Sequence, residues 1–206
     1  VDPVKDPIDW AGVWAATASA LDRHRVAGLE ALLTEDVLRF AAVCELVEAS
    51  VAPVRLEAEW RRPGVPDSVD LVVTGPTPAA VEFKFPREPR ETNAAWTQHL
   101  GEALKDFYRL AHMPSGFVDR WCVQLLSARV RRYFDGVAQR HGVAFGLRPG
   151  EVTELDPARV RTLPATAQRG LGRWLTDLPP VHARCEAVHP TGEDLRLVTH
   201  RVSPVS

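Results

Sequence analysis

The stretch from residue 68 to residue 85 constrains the fold more than any other part of the chain. It reads Ser68-Val69-Asp70-Leu71-Val72-Val73-Thr74, then Gly75-Pro76-Thr77-Pro78, then Ala79-Ala80-Val81-Glu82-Phe83-Lys84-Phe85. Two short runs rich in β-branched and aromatic residues, parted by a glycine–proline turn, predict neighbouring strands of one sheet. Side chains two apart on a strand share a face. Glu82 and Lys84 therefore project together, while Val81, Phe83 and Phe85 face a core. Just upstream, Val54 to Trp60 alternates apolar and charged residues, with Val54, Leu56, Ala58 and Trp60 on one side, before a turn at Pro63-Gly64. Gaps this short predict an antiparallel three-stranded meander.

Around the meander the apolar spacing turns helical. Helices are expected at about 8–26, at 34–50 with Thr34 as N-cap, at 92–112 and at 128–141, with a buried strand over 120–126. The chain from 145 to 180 is broken by proline and glycine, with a short helix near 165–175. Residues 181–188 and 195–202 read as a hairpin. The expected fold class is α/β: an α-β-β-β-α-β core with a mixed central sheet flanked by helices, plus a C-terminal β-hairpin. Within one domain spanning 1–206, residues 34–127 form the core, 1–33 an N-terminal helical extension and 145–206 a C-terminal extension.

Composition removes several classes of function. With 206 residues, 45% of them hydrophobic, the chain can bury a core without disulfides or a structural metal. No run approaches the ~20 apolar residues of a membrane span, and the first residues lack the layout of a signal peptide. Cys44, Cys122 and Cys185 are too few and too scattered for a disulfide framework or zinc ribbon, and each reads as a buried thiol. The seven histidines show no metal-ligand spacing. A reducing, cytoplasmic setting and no membrane partner are the expectation. A net charge of −2 argues against a domain that coats nucleic acid indiscriminately, so a polyanion would have to meet a local basic patch. Only three of the 25 basic residues are lysine (Lys5, Lys84 and Lys105), which singles out a lysine inside a strand.

If strands 68–74 and 79–85 pair antiparallel, Asp70 lies alongside Glu82 and Lys84. Two carboxylates and an ammonium then converge on a rigid sheet. Mg²⁺ is commonly held by one or two carboxylates with waters and a substrate phosphate. The ordinary alternative is an exposed same-face pair with Asp70 as a strand-start residue. Asp67, in a literal Pro66-Asp67, is the rival acid.

An aspartate before an apolar triplet, Glu-x-Lys on the next strand, and the order helix, meander, helix, strand resemble the PD-(D/E)xK nuclease superfamily, over about residues 34–127. The resemblance implies a metal-dependent nuclease acting on phosphodiester bonds, by preference of DNA, with Mg²⁺ (or Mn²⁺) as cofactor. It makes Asp70 and Glu82 the metal ligands and Lys84 the catalytic lysine. It also implies a glutamate from the preceding helix, Glu45 with Glu48 as rival. Gln98 is implied on the following helix, although no tyrosine stands four residues later. Arg61, Arg62, Arg87 and Arg90 bracket the acid-bearing strands as candidate contacts to nucleic acid, and Trp96 and Tyr108 are candidates for stacking on bases. A homodimer or a larger complex is compatible with this reading. The reading from another class is a non-catalytic nuclease-fold subunit that binds nucleic acid or serves a larger assembly.

Overall fold

In the computed structural model, which describes residues 7–61, 67–86, 93–176 and 180–204, the chain opens with two capped helices. Asp9 accepts the Gly12 amide at 3.1 Å and starts α1 (Trp10–Val26). Thr34 accepts the Val37 amide at 3.2 Å and starts α2 (Glu35–Glu48). Such side-chain oxygens satisfy amides that the first turn leaves without partners. The meander follows as β1 (Leu56–Arg61), β2 (Ser68–Val73) and β3 (Ala79–Lys84), and then come α3 (Asn93–Ala111), β4 (Asp119–Ser127) and α4 (Ala128–Arg140). The proline- and glycine-broken segment holds β5 (Val152–Leu155) and α5 (Pro157–Val160), and its expected short helix is α6 (Ala165–Leu171), continued by a 3-10 turn over Gly172–Leu175. The hairpin is β6 (Val181–Thr191) and β7 (Leu195–Val202).

The seven strands form one mixed sheet in the order β1-β2-β3-β4-β7-β6-β5. Among the described residues the only parallel pairing is β3 with β4, bridged by the crossover through α3; the others are antiparallel. The architecture is therefore the expected mixed sheet flanked by helices with a C-terminal hairpin. That hairpin continues the sheet, because β7 pairs with β4 along Trp121↔Arg201 to Ser127↔Leu195.

Each sheet face carries a core. Trp10, Trp14, Leu21, Leu38 and Leu46 of α1 and α2 pack on Leu71, Val73, Val81, Phe83, Val123 and Leu197. On the opposite face, Leu100, Leu104 and Phe107 of α3 and Val130 and Phe134 of α4 cover Val72, Ala80, Cys122 and Leu126. Side-chain alternation along β3 divides its residues between these two cores.

Three expectations need correction. Val54 is 92% exposed, in a 3-10 turn over Pro53–Arg55, and the strand begins only at Leu56. Leu56 and Trp60 also lie on opposite faces, Leu56 against the α1–α2 core and Trp60 against the α3 core. Glu59, between them, has φ 51°, a left-handed conformation that breaks the two-residue alternation. Cys44 is exposed, because the buried stripe of α2 is Leu38, Ala41, Ala42 and Leu46. Cys122 and Cys185 are buried as expected. Among the described residues no helix is long and apolar enough to cross a membrane.

Helix α3 is pressed against the sheet from outside by α6, and glycines make that approach possible. A Cβ on Gly101 would overlap the Ala167 carbonyl, and one on Gly170 would meet the backbone of Gln98 and Glu102. Gly101→Ala is expected to lower stability by about 1–3 kcal/mol, as overpacking does. Gly116→Ala, with open space around the new methyl, should stay within roughly 0.5 kcal/mol of the parent. Urea denaturation of the two variants measures both.

Candidate functional site

Strands β2 and β3 pair from Val73↔Ala79 to Leu71↔Val81, and the recorded pairing stops there. β3 runs on to Lys84 beside β4, where Lys84 is level with Gln124. Between Ala58↔Leu71 and Trp60↔Val69 the outer pair of strands turns over at the left-handed Glu59, and Asp70 stands at that level. Its carboxylate bridges the parting: Asp70 Oδ2 accepts the Phe83 amide at 2.7 Å in place of a strand carbonyl. That contact brings Asp70 beside Glu82.

Glu82 and Lys84 share the face under α3, as alternation predicts. Glu82 is 1% exposed; its Oε2 accepts from Arg109 Nη1 at 2.7 Å, and its Oε1 is buried with no partner among the described residues. Asp106, also buried, lies 3.6 Å from Arg109 Nη1 through Oδ1 and 3.9 Å from Lys84 Nζ through Oδ2. The N-terminus of α2 closes the other side. Glu35 Oε2 accepts the Phe85 amide at 3.1 Å and pairs with Lys84 Nζ at 3.3 Å. Further out, Arg39 pairs with Glu59 and with Asp36, and Ser68 Oγ donates to Glu59 Oε2 at 3.0 Å. The Lys84 side chain keeps 19% of its surface exposed and Glu35 41%, so solvent reaches the cluster from the α2 side.

Four carboxyl groups (Glu35, Asp70, Glu82 and Asp106) thus face two cations, Lys84 and Arg109. Burial raises the Asp70 pKa; the Phe83 amide opposes this and the Glu35 charge adds to it. Glu82 is pushed well above the usual range by burial and by the charges of Asp70 and Asp106, against the pull of Arg109. Burial pushes Asp106 up to about 6 despite Lys84 and Arg109. Burial works to lower Lys84, but Asp106, Glu35 and Asp70 together outweigh it and hold the ammonium above its ordinary value. Lys84 is a fixed cation at neutral pH.

The donor set suits a small hard cation. Asp70 and Glu82 are adjacent carboxylates on rigid strands, one Glu82 oxygen is buried without a partner, and negative groups outnumber positive ones. Among the described residues no three acidic, histidine or cysteine side chains form a metal cage. Two carboxylates are enough for Mg²⁺, which retains waters in its shell.

The remaining residues singled out by sequence lie elsewhere. Glu45 pairs with Arg23 of α1 at 3.9 Å. The α2 carboxylate in the cluster is Glu35, ten positions earlier and so about 15 Å away along the helix. Glu48 is exposed at the C-terminal end of α2. Gln98 is exposed and donates to Glu102 Oε1 at 3.0 Å, because the sheet-facing stripe of α3 passes through Leu100, Ala103 and Leu104. The glutamine level with Lys84 is Gln124, whose Nε2 lies 3.3 Å from Cys122 Sγ. Asp67, the rival acid, pairs with Arg173 at 2.6 Å. Trp96 is buried against Tyr133 with Arg129 over its ring, and Tyr108 is fully buried, so neither offers a face for stacking. Arg61 is exposed at the end of β1, while Arg62, Arg87 and Arg90 lie outside the described residues.

Sequence reasoning missed Glu35, Asp106, Arg109 and Gln124. The signal for Asp106 was a charged residue set among Ala103, Phe107 and Leu110 on an apolar helix face. A charge placed there must find a partner across the interface.

Comparison of the chain with protein-family models, with curated proteins and with solved structures finds no match.

The raised Asp106 pKa has a signed consequence. Unfolded, the carboxyl ionises near 3.8; folded, it holds its proton to about 6. Its contribution to stability is present below pH 4 and lost as pH rises through 6. Buried His200, whose Nε2 donates to the Gly146 carbonyl and whose pKa is lowered to about 4 by burial, acts in the opposite direction. The informative quantity is therefore the difference between variant and parent. Asp106→Asn should gain stability relative to the parent between pH 4 and 7, by on the order of 2 kcal/mol, read as urea midpoints across that range.

Proposed function

We propose that this protein is a metal-dependent nuclease of the PD-(D/E)xK type, hydrolysing phosphodiester bonds, and that its substrate is DNA. The observation that carries the reading is the convergence of Asp70, Glu82 and Lys84 at the parting of β2 and β3. The preference for DNA follows the family resemblance.

Asp70 and Glu82 would hold the Mg²⁺ or Mn²⁺. When bound, such an ion polarises a phosphoryl oxygen and acidifies a coordinated water. Lys84, kept charged by its carboxylate neighbours, acts by position: it orients the attacking water and stabilises negative charge developing on the phosphoryl oxygens. Glu35 fixes that ammonium at 3.3 Å while its own position is set by the Phe85 amide. Asp106 holds the same lysine from the side of α3. Arg109 balances Glu82 from within the protein and keeps its carboxylate aimed across the parting strands.

Arg109 also supports a second reading. A guanidinium 2.7 Å from the central glutamate satisfies much of its charge internally, as a non-catalytic nuclease-fold subunit would require. The two readings differ in one measurement: the cutting of labelled single- and double-stranded DNA and RNA, with Mg²⁺, with Mn²⁺ and with chelator. The nuclease reading expects metal-dependent cutting that falls roughly 10²-fold or more in Asp70→Ala, Glu82→Gln and Lys84→Ala, in variants with the parent's circular dichroism. Glu45→Ala, whose side chain pairs with α1, should cut at the parent rate. Clean protein that binds nucleic acid and never cuts would establish the second reading.

A further inference from the structure

Against Arg109 the protein has a cleft of about 270 Å³. Trp60 and Trp174 line it with Val69 and Met113, and Arg109 and His112 supply polar edges. Two of its lining residues connect it to the carboxylates: Val69 precedes Asp70 on β2, and Arg109 bonds Glu82. A second hollow, of about 410 Å³, shares Asp67, Arg173 and Trp174 with the first and carries Lys105 and Arg169 along α3 and α6.

Each feature narrows the occupant. The volume is below that of most pockets for whole cofactors, so it suits a fragment. Arg173 lies over the Trp174 ring and Tyr108 and His112 pack against it, so a flat ring would pack beside Trp60 at the Trp174 edge, and the polar edges of Arg109 and His112 favour one that bears ring nitrogens and carbonyl oxygens. In the second hollow Lys105, Arg169 and Arg173 face Asp67 and Glu102, an excess of one cation that favours a polyanion leading away from that ring. A nucleobase joined to its phosphate backbone meets all three requirements. A base inside a duplex is stacked and paired and cannot enter; an unpaired one can.

We propose that this cleft seats an unpaired nucleobase next to the phosphate at Asp70 and Glu82, with Lys105, Arg169 and Arg173 following the backbone, so that the substrate strand is single-stranded at the site of attack. The proposal rests on the nuclease reading for the identity of the neighbouring site, but the binding it describes requires no cleavage.

The test is fluorescence anisotropy in EDTA, where the chemistry is silent, with a dye-labelled single-stranded DNA 12-mer, its blunt duplex and the same strand carrying abasic positions. The single strand should bind about tenfold or more tighter than either competitor, within the range of one stacked base. Trp174→Ala and Trp60→Ala should each remove about tenfold from single-strand affinity and leave the weak duplex binding as it was. Arg173→Ala, at an exposed position that does not endanger folding, should weaken single strand and abasic strand alike. Equal affinity for single strand and duplex, or an abasic strand that binds as well as the intact one, overturns the proposal. So does the absence of single-strand binding. Tight, base-dependent binding without cutting in Mg²⁺ would uphold the cleft and remove the nuclease reading; cutting without base dependence would do the reverse.

Discussion

The site depends on one hydrogen bond between a side chain and a backbone amide. Where β2 and β3 part, the Phe83 amide has no recorded strand partner, and a buried amide without an acceptor costs free energy comparable to a lost hydrogen bond. Asp70 meets that need at 2.7 Å. The same bond draws a carboxylate into the sheet beside Glu82, where two like charges would otherwise repel. An aspartate here completes a broken ladder and supplies the second acid of the cluster. An asparagine could serve the amide without supplying the charge.

Electrostatics then organises everything around that pair. Burial raises the cost of each carboxylate, and the chain answers with cations placed from two directions, Lys84 within β3 and Arg109 from α3. Carboxylates beyond those needed to pair the cations push the acids upward and the lysine higher still. The outcome is an acid-rich cluster in which Lys84 stays charged. In a chain with 22 arginines and only three lysines, a compact ammonium at residue 84 is consistent with a need for a point charge with rotatable donors.

Much of this was legible in the sequence because it depends on period. The alternation in 79–85 put Glu82 and Lys84 on one face, and the short turn at 75–78 made β2 the neighbour of β3, so Asp70 could be aligned by counting. The helices announced themselves by capping residues and apolar stripes. What stayed hidden depends on tertiary approach. Nothing local distinguishes Glu35 from the other acid in the first turn of α2, Asp36, until the end of β3 lies beside that helix. The resemblance asks for a glutamate on α2, but the buried stripe of that helix describes a face and not a height along the axis, so it does not tell Glu45 from Glu35. Glu59 shows a different limit: a single left-handed residue reverses the facing of a strand whose letters alternate perfectly.

The pairing of β7 with β4 has a consequence in time. Synthesis runs from the N-terminus, so β1 to β4, with both acids and the lysine, emerge roughly 70 residues before β7 does. At ~5–20 residues per second that interval is on the order of ten seconds. Throughout it the edge of β4 that β7 will cover presents bare amides and carbonyls in the middle of the future sheet, a template for any passing strand.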